Sequence, residues 1–153
     1  MSERLTSEER EGLVWFFSQI PFNQHLQMTA HWDDEDHVRF EIPMQPQLIG
    51  NAVHGILHGG VVATALDVAG GCMAAVGTLK RTRDMPTAER MAILSRIGTI
   101  DMRVDYLLPG RGGSFTAKAE LLRIGNKVAV TRMSMWNDAQ ETIAVGTGTY
   151  LCG

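Results

Sequence analysis

Apolar residues recur at the spacing of a helix face near the start of the chain. Thr6 and Glu9 have the spacing of a capping box, and the apolar positions that follow are Leu13, Val14, Phe16, Phe17 and Ile20. The pattern predicts an amphipathic helix over about residues 7–20. Pro21 is expected to end this helix, because proline cannot continue it.

The period then changes from that of a helix to that of a strand. Apolar and polar residues alternate over residues 26–32 and again over residues 38–44, with the acidic segment 33–36 between them. Such alternation is typical of strands with one buried face, so the two stretches predict a β-hairpin. A polar loop that contains Pro46 and Gly50 follows.

One long run of small and apolar residues lies in the middle of the chain. Residues 59–79 read GGVVATALDVAGGCMAAVGTL, in which Asp67 is the single charge. The run predicts a buried helix over about residues 60–78, which ends near Gly77 and the cationic Lys80, Arg81 and Arg83. Its length approaches the roughly 20 residues of a membrane span. Its five Gly, five Ala and central Asp contribute little transfer energy, which favours a buried helix over a membrane segment.

An excursion and four strands make up the remainder. The excursion covers about residues 80–98, and within it Pro86 suits the first turn of a short helix that reaches about Ser95. The last two strands alternate poorly, as strands that are covered on both faces would. The four predicted strands cover residues 100–108, 115–121, 127–136 and 141–151.

This order of elements indicates an α+β fold. A chain of 153 residues is long enough for one domain with a substantial core, so residues 1–153 are expected to form a single domain. A helix that is apolar on all sides must be enclosed on all sides. A curved antiparallel sheet wrapped around the central helix satisfies that requirement.

Composition narrows the function. The formal net charge is -3, and this lack of a basic surplus argues against nucleic-acid binding. The N-terminal segment MSERLTSEERE is charged and has no apolar stretch of the kind found in signal peptides, which predicts a cytoplasmic protein. Two cysteines, Cys72 and Cys152, are too few for a disulfide framework, and both are expected to be reduced.

Asp67 needs an explanation, because burying an unpaired carboxylate costs at least several kcal/mol. A structural carboxylate held by a buried amide or arginine is the first alternative. The His58-Gly59-Gly60 turn that leads into the same helix favours the second, which is catalysis. The N-H groups at a helix start, with the positive end of the helix dipole, suit negative charge that develops in a transition state.

The segment from Asn51 to Gly60, NAVHGILHGG, followed by Leu66-Asp67, resembles the signature of hotdog-fold acyl-CoA thioesterases of the PaaI-like branch, which act in phenylacetic acid degradation. The element order agrees with that fold over nearly the whole chain. The resemblance implies hydrolysis of a fatty or aromatic acyl-CoA to free acid and CoA, without a metal or redox cofactor. It also implies a homodimer whose active site is shared between subunits, and the family often pairs two dimers into a tetramer.

The resemblance assigns a role to each position of the motif. The N-H of Gly59 polarises the thioester carbonyl, and Asp67 of the other protomer acts as general base or nucleophile. Asn51 and His58 position substrate or water, together with Gly60. Thr99 matches a position where related enzymes place a hydroxyl. Asn51 departs from the pattern, since it lies seven residues before His58 and the family's asparagine usually lies six before.

Distance along the helix independently favours a shared site. Asp67 is eight residues from Gly59, which is about 12 Å at roughly 1.5 Å per residue. A carboxylate at that distance cannot easily serve the carbonyl held by the Gly59 of its own chain. A dimer in which each site takes one group from each subunit removes the difficulty.

Other readings stay open at this point. A non-catalytic acyl-CoA binding protein would keep the pocket, and a hotdog hydratase or dehydratase would use His58 and Asp67 as an acid-base pair. His54 and His58 suggest a metal pair, but the glycines at positions 55, 59 and 60 argue against one helix that carries both. Lys80, Arg81 and Arg83 either bind the phosphates of CoA or form a solvated helix end. The length and type of the acyl group are not readable.

Overall fold

The computed structural model describes residues 4–34 and 36–153. Residues 1–3, which start the charged N-terminal segment, and Glu35 of the acidic turn lie outside the described residues. The helices are α1 (Ser7–Gln19), α2 (Pro21–His25), α3 (Gly59–Arg81) and α4 (Thr87–Leu94). The strands are β1 (Thr29–Trp32), β2 (Val38–Pro43), β3 (Ile49–Asn51), β4 (Ile56–Leu57), β5 (Gly98–Tyr106), β6 (Ser114–Ile124), β7 (Val128–Asn137) and β8 (Thr142–Leu151).

Six strands form one antiparallel sheet that curves around α3. Their order is β1-β2-β6-β7-β8-β5, so β1 and β5 are the two edges, and β3 pairs with β4 in a separate small hairpin. The main core lies between the inner face of the sheet and α3. This arrangement confirms the predicted α+β fold.

The first helix is capped as the sequence predicts. Thr6 Oγ1 accepts a hydrogen bond from the N-H of Glu9 at 3.1 Å, and Glu9 Oε2 accepts one from the N-H of Thr6 at 2.8 Å. The two bonds satisfy donors that a helix start leaves free. Pro21 follows the end of α1 but also opens α2, a short helix that the sequence pattern did not predict.

Two local structures depart from the predicted hairpin and loop. Strand β1 begins at Thr29 instead of Leu26, since Gln27 has a φ of 53°, a left-handed conformation that interrupts an extended chain. The predicted polar loop contains the β3-β4 hairpin, which alternation over such short segments cannot reveal.

The central helix ends among the cationic residues, as predicted, with Lys80 and Arg81 in its last turn, but the role predicted for Gly77 at its end is wrong. Helix α3 continues through Gly77 to Arg81, and Gly77 is buried against the sheet. A Cβ at this position would lie 2.7 Å from Leu121 Cδ2 and 2.8 Å from Ile124 Cδ1. Gly77 therefore permits close packing of the helix on the sheet and does not terminate the helix.

The expectation that β7 and β8 are covered on both faces is also wrong. Buried positions alternate with half-buried and exposed ones along both strands, and Arg132 and Thr147 are exposed. The alternation is obscured in the sequence because β8 presents Gly146 and Gly148 to the core and threonines to the outer face. Glycine does not read as apolar, and threonine fits a strand on either face.

Helix α3 meets the length and composition of a membrane span, but 61% of its most apolar window is buried inside the fold. It is therefore the core helix, as predicted. It is not enclosed on all sides in the single chain, however. Its N-terminal half leaves Ala63, Thr64, Asp67 and Val68 partly exposed, which corrects the expectation of a fully enclosed helix.

Candidate active site

The start of α3 is closed by the ring of His58. His58 is the N-cap residue, and its Nδ1 accepts a hydrogen bond from the N-H of Gly60 at 2.8 Å. An imidazole nitrogen accepts only when it carries no proton, so this geometry assigns the neutral ring with its proton on Nε2. Gly50 packs directly against His58. A Cβ at position 50 would lie only 2.6 Å from His58 Cα, so a larger residue would displace the cap.

The cap leaves one donor free at the helix start. The N-H of Gly60 is taken by His58 Nδ1, and the N-H groups of Val61 and Val62 bond to His58 O at 2.9 and 3.3 Å. Within residues 4–34 and 36–153, the N-H of Gly59 has no hydrogen-bond acceptor. The arrangement offers an anion a single N-H at the positive end of a long helix.

Tyr106, which the sequence analysis missed, holds this first turn. Its hydroxyl donates to Gly59 O at 2.8 Å, and its ring would lie 3.3 Å from a Cβ at position 59. Tyr106 is on the inner face of β5, on the same side as Met102 and Val104. The clean alternation of this strand was visible in the sequence, but the partner of the hydroxyl was not.

Asp67 lies about two turns further along α3 and is half-buried, which corrects the expectation that it is fully inside the protein. Its Oδ1 accepts a hydrogen bond from Thr99 Oγ1 at 2.8 Å and a second from the Tyr150 hydroxyl at 3.2 Å. Thr99 and Asp67 are thus brought together, as their shared assignment to the site requires. In the part of the chain that the structure describes, Oδ2 has no hydrogen-bond partner.

Tyr150 was not singled out from the sequence. It is 1% exposed on β8, and its hydroxyl also lies 3.2 Å from Asp67 O. Burial, and next the Asp67 carboxylate, raise the pKa of Tyr150 well above its usual range. The hydroxyl therefore keeps its proton and acts as a donor. Gly148, which precedes it on the inner face of β8, leaves room for the ring, because a Cβ there would lie 2.7 Å from Tyr150 Cε2.

Asn51 shapes the loop in front of the helix. Its Oδ1 accepts hydrogen bonds from the N-H groups of Val53 and His54 at 3.1 and 3.2 Å. This is a turn of the kind that asparagine commonly forms. Its carboxamide oxygen is therefore committed to the backbone, whereas the NH2 group makes no hydrogen bond among the described residues.

The structure contains no obvious metal centre in the described ranges. No group of three His, Cys, Asp or Glu residues that could hold a metal occurs among residues 4–34 and 36–153. His54 lies in the β3-β4 turn and His58 caps α3, so one helix does not carry both. Cys72 is fully buried on α3, and burial raises the pKa of its thiol, which keeps it protonated.

The cationic end of α3 is tied to the rest of the fold. Lys80 pairs with Asp36 at 2.6 Å, Arg81 donates to Cys152 O at 3.0 Å, and Arg83 donates to Arg4 O. Each of the three cations has a structural role of its own. They are therefore more than a solvated helix end.

Strand β5 connects the two parts of the site. Its first residues place Thr99 against Asp67, and its last residue places Tyr106 against Gly59. It is also an edge strand of the sheet, and two of its large side chains are exposed: Ile100 by 55% and Tyr106 by 56%. Within one chain, the free N-H and the carboxylate remain about 12 Å apart along the helix.

Comparisons with known proteins identify the family of the chain. The family model described as "Thioesterase superfamily" matches residues 54–144, which is more than half of the chain. The Escherichia coli K12 protein "Medium/long-chain acyl-CoA thioesterase YigI" is 46% identical over 155 residues, covering 100% of both chains. The alignment with this relative includes every residue of the candidate site.

Solved structures show the same fold. A crystal structure from Shewanella oneidensis, of a protein related to the thioesterase superfamily, has a TM-score of 0.88 and 45% identity and covers 97% of this chain and 100% of its own. The E. coli PaaI protein from the phenylacetic acid degradation operon has a TM-score of 0.77 at 19% identity, covering 97% and 96%. At that identity the likeness to PaaI concerns the fold alone. The resemblance to hotdog thioesterases is confirmed: the chain belongs to the thioesterase superfamily and is a thioester hydrolase.

Proposed function

We propose that this enzyme hydrolyses medium- or long-chain acyl-CoA thioesters. The Gly59 N-H stabilises the oxyanion, and Asp67 acts as general base or nucleophile. The observation that carries the proposal is the free N-H at the start of α3, where the neighbouring donors are already engaged. The name of the E. coli relative YigI supports this range of acyl chains. Aromatic acyl-CoA remains the alternative substrate class that the resemblance implies.

The chemistry requires a donor at the carbonyl oxygen and a base or nucleophile at the carbonyl carbon. With Asp67 as base, Oδ2 takes a proton from water while the water oxygen bonds to the carbonyl carbon, and collapse breaks the C-S bond. With Asp67 as nucleophile, Oδ2 bonds to the carbonyl carbon, and the C-S bond breaks to release CoA thiolate and leave a mixed anhydride. Water then hydrolyses the anhydride and supplies the proton that the thiolate takes up. Both routes end in free acid and CoA thiol, and one backbone donor at the oxyanion is typically worth about 10²- to 10³-fold in rate.

Glycine at position 59 is consistent with a substrate that approaches the backbone. A Cβ there would lie 3.3 Å from Cε1 of the Tyr106 ring, so any side chain would crowd the first turn of the helix. Tyr106 in turn anchors Gly59 O, which fixes the direction of the first turn. The donor is held rigidly, as electrostatic stabilisation of a transition state requires.

The exposed edge of β5 supports a dimer. An edge strand with free backbone groups and exposed apolar side chains is prepared to pair with another strand. If β5 pairs antiparallel with the β5 of a second copy about an axis at Arg103, Thr99 lies opposite Tyr106 of the partner subunit, because the bulge between Thr99 and Asp101 takes up one residue of the strand. Directly opposite residues have Cβ atoms roughly 5 Å apart.

This register would complete the site. Thr99 contacts Asp67, and Tyr106 contacts Gly59. Pairing Thr99 with the partner's Tyr106 therefore brings Asp67 towards the partner's Gly59, and the partly exposed face of α3 becomes covered. Each dimer would hold two such sites, and association of two dimers into a tetramer would leave them unchanged. A cytoplasmic location, which the N-terminal composition favours, is part of the same proposal.

The alternative functions have less support. A hydratase would need His58 and Asp67 to act together, but the His58 ring already accepts from Gly60 at Nδ1. A binding protein without activity would not need a carboxylate anchored by two hydroxyl groups beside an open face.

Replacement of the carboxylate tests the proposal. Asp67→Asn keeps the size of the side chain and removes its basicity, so we expect fold and dimer to persist and kcat on acyl-CoA to fall by at least about 100-fold. Release of CoA thiol is followed with a thiol reagent across short, medium, long and aromatic acyl-CoAs. An unchanged kcat in this variant on the best substrate would remove Asp67 from the chemistry.

A further inference from the structure

A buried tyrosine reaches the proposed catalytic carboxylate from behind. The Tyr150 side chain extends from β8 across the core to α3, where its hydroxyl lies 3.2 Å from Asp67 Oδ1 and 3.2 Å from Asp67 O. The residue is 1% exposed, so water has little access to this hydroxyl. A substrate approaching from the open face of α3 would meet Asp67 and not Tyr150.

The space for this ring is built by glycines on two elements. A Cβ on Gly70 of α3 would collide with the Tyr150 hydroxyl and lie 2.8 Å from Cζ. A Cβ on Gly148 of β8 would lie 2.7 Å from Cε2. Any larger residue at either position would displace a rigid ring, whose atoms cannot move independently. The slot thus fixes where the hydroxyl ends.

The two hydroxyl groups near Asp67 act on the same oxygen. Thr99 on β5 and Tyr150 on β8 both donate to Oδ1, from neighbouring strands of the sheet. Two donors on Oδ1 restrict rotation of the carboxylate. Among the described residues, Oδ2 has no hydrogen-bond partner. A group that must transfer a proton or attack a carbonyl gains from such fixed orientation.

We infer that Tyr150 is a positioning residue for thioester hydrolysis: with Thr99 it holds Asp67 by Oδ1, so that Oδ2 is the oxygen presented to water or to the thioester. The inference rests on the proposed function, because it takes Asp67 as the reacting group. Tyr150 acts through Asp67 and touches neither substrate nor reacting atoms. Its ring also contributes to the core, so the test must separate the hydroxyl from the ring.

Tyr150→Phe removes the hydroxyl and keeps the ring in its slot. We expect kcat to fall about tenfold while KM stays within about twofold, because orientation of the carboxylate is lost but substrate binding is not. The matched control is Thr78→Val, which removes another buried hydroxyl. Thr78 lies on the fully buried half of α3, where its Oγ1 donates to Ala74 O at 2.8 Å. The control should retain wild-type kcat, and thermal unfolding and gel filtration check fold and dimer in both.

A double variant decides whether the hydroxyl acts through Asp67. In an Asp67→Asn background, Tyr150→Phe should not lower the residual rate further, since the group that it positions is already inactive. Gly70→Ala displaces the same hydroxyl without changing Tyr150 and should lower kcat in the same direction. The inference is overturned by a folded Tyr150→Phe with kcat within twofold of wild type, or by an equal fall in both backgrounds. A fully active Asp67→Asn would instead overturn the proposed function.

Discussion

The two halves of α3 share one apolar sequence but lie in different environments. Every residue from Cys72 to Leu79 is buried against the sheet, whereas the half from Gly59 onwards leaves part of its surface open. The buried half contains no charged side chain. The open half contains Asp67 and the free N-H of Gly59. One run of small residues therefore contributes both core and candidate active site, and apolarity alone does not distinguish them.

The glycines illustrate the same difference. In the buried half, Gly77 lets the helix approach Leu121 and Ile124. In the open half, Gly70 admits the Tyr150 ring and Gly59 leaves room for the Tyr106 ring. Substitutions in the two halves should thus affect different quantities: turnover in the open half, and the free energy of unfolding in the buried half.

The largest effect is expected from removing the N-H of Gly59. Gly59 is the first residue of α3, where proline is tolerated, and His58 has φ -61° and ψ 133°, a conformation that proline favours in the residue before it. Gly59→Pro should therefore fold, yet lose about 10²- to 10³-fold in kcat with its oxyanion donor. Thiol release under saturating acyl-CoA measures the loss.

Gly59→Ala is the matched control for that variant. Alanine adds the same Cβ, which meets the Tyr106 ring at 3.3 Å, but keeps the N-H. The part of the loss that is common to both variants reports crowding, and the additional loss in the proline variant reports the donor. Equal kcat values in the two variants would contradict the role given to the N-H.

A smaller effect, of a different kind, is expected in the buried half. Val76 is 2% exposed, and Val76→Ala leaves a cavity that should lower the free energy of unfolding by about 1–3 kcal/mol. The kcat of the folded enzyme should not change, because the site lies on the other half of the helix. Urea unfolding and kcat are measured on the same preparation. A fall in kcat as large as that of Gly59→Pro would mean that the two halves are not independent.

Much of the fold could be predicted because its signals are local. The capping box at Thr6 and the apolar run of α3 depend on residues within a few turns of one another, and the long strands have their own alternation. The β3-β4 hairpin is too short for alternation to show. Gly77 was misread because a packing glycine and a terminating glycine look the same until the facing strand is known.

The site was predictable only in part, for a related reason. His58, Gly59 and Asp67 belong to one continuous motif. Tyr150 lies 83 residues from Asp67 in the sequence, and nothing near it indicates that its hydroxyl meets a carboxylate. Tyr106 is separated from Gly59 by 47 residues and was similarly hidden. Such contacts follow from strand order, which places β8 and β5 beside α3.

The central claim is that each site combines Asp67 of one subunit with Gly59 of the other, and mixed dimers test it directly. Asp67→Asn and Gly59→Pro chains, each inactive alone, are coexpressed with different tags, and dimers that carry both tags are assayed against wild type. A mixed dimer has one site with both groups intact and one with neither, so the purified mixed dimer should recover about half of the wild-type kcat. Mixed dimers that form but remain as inactive as their parents would contradict the shared site.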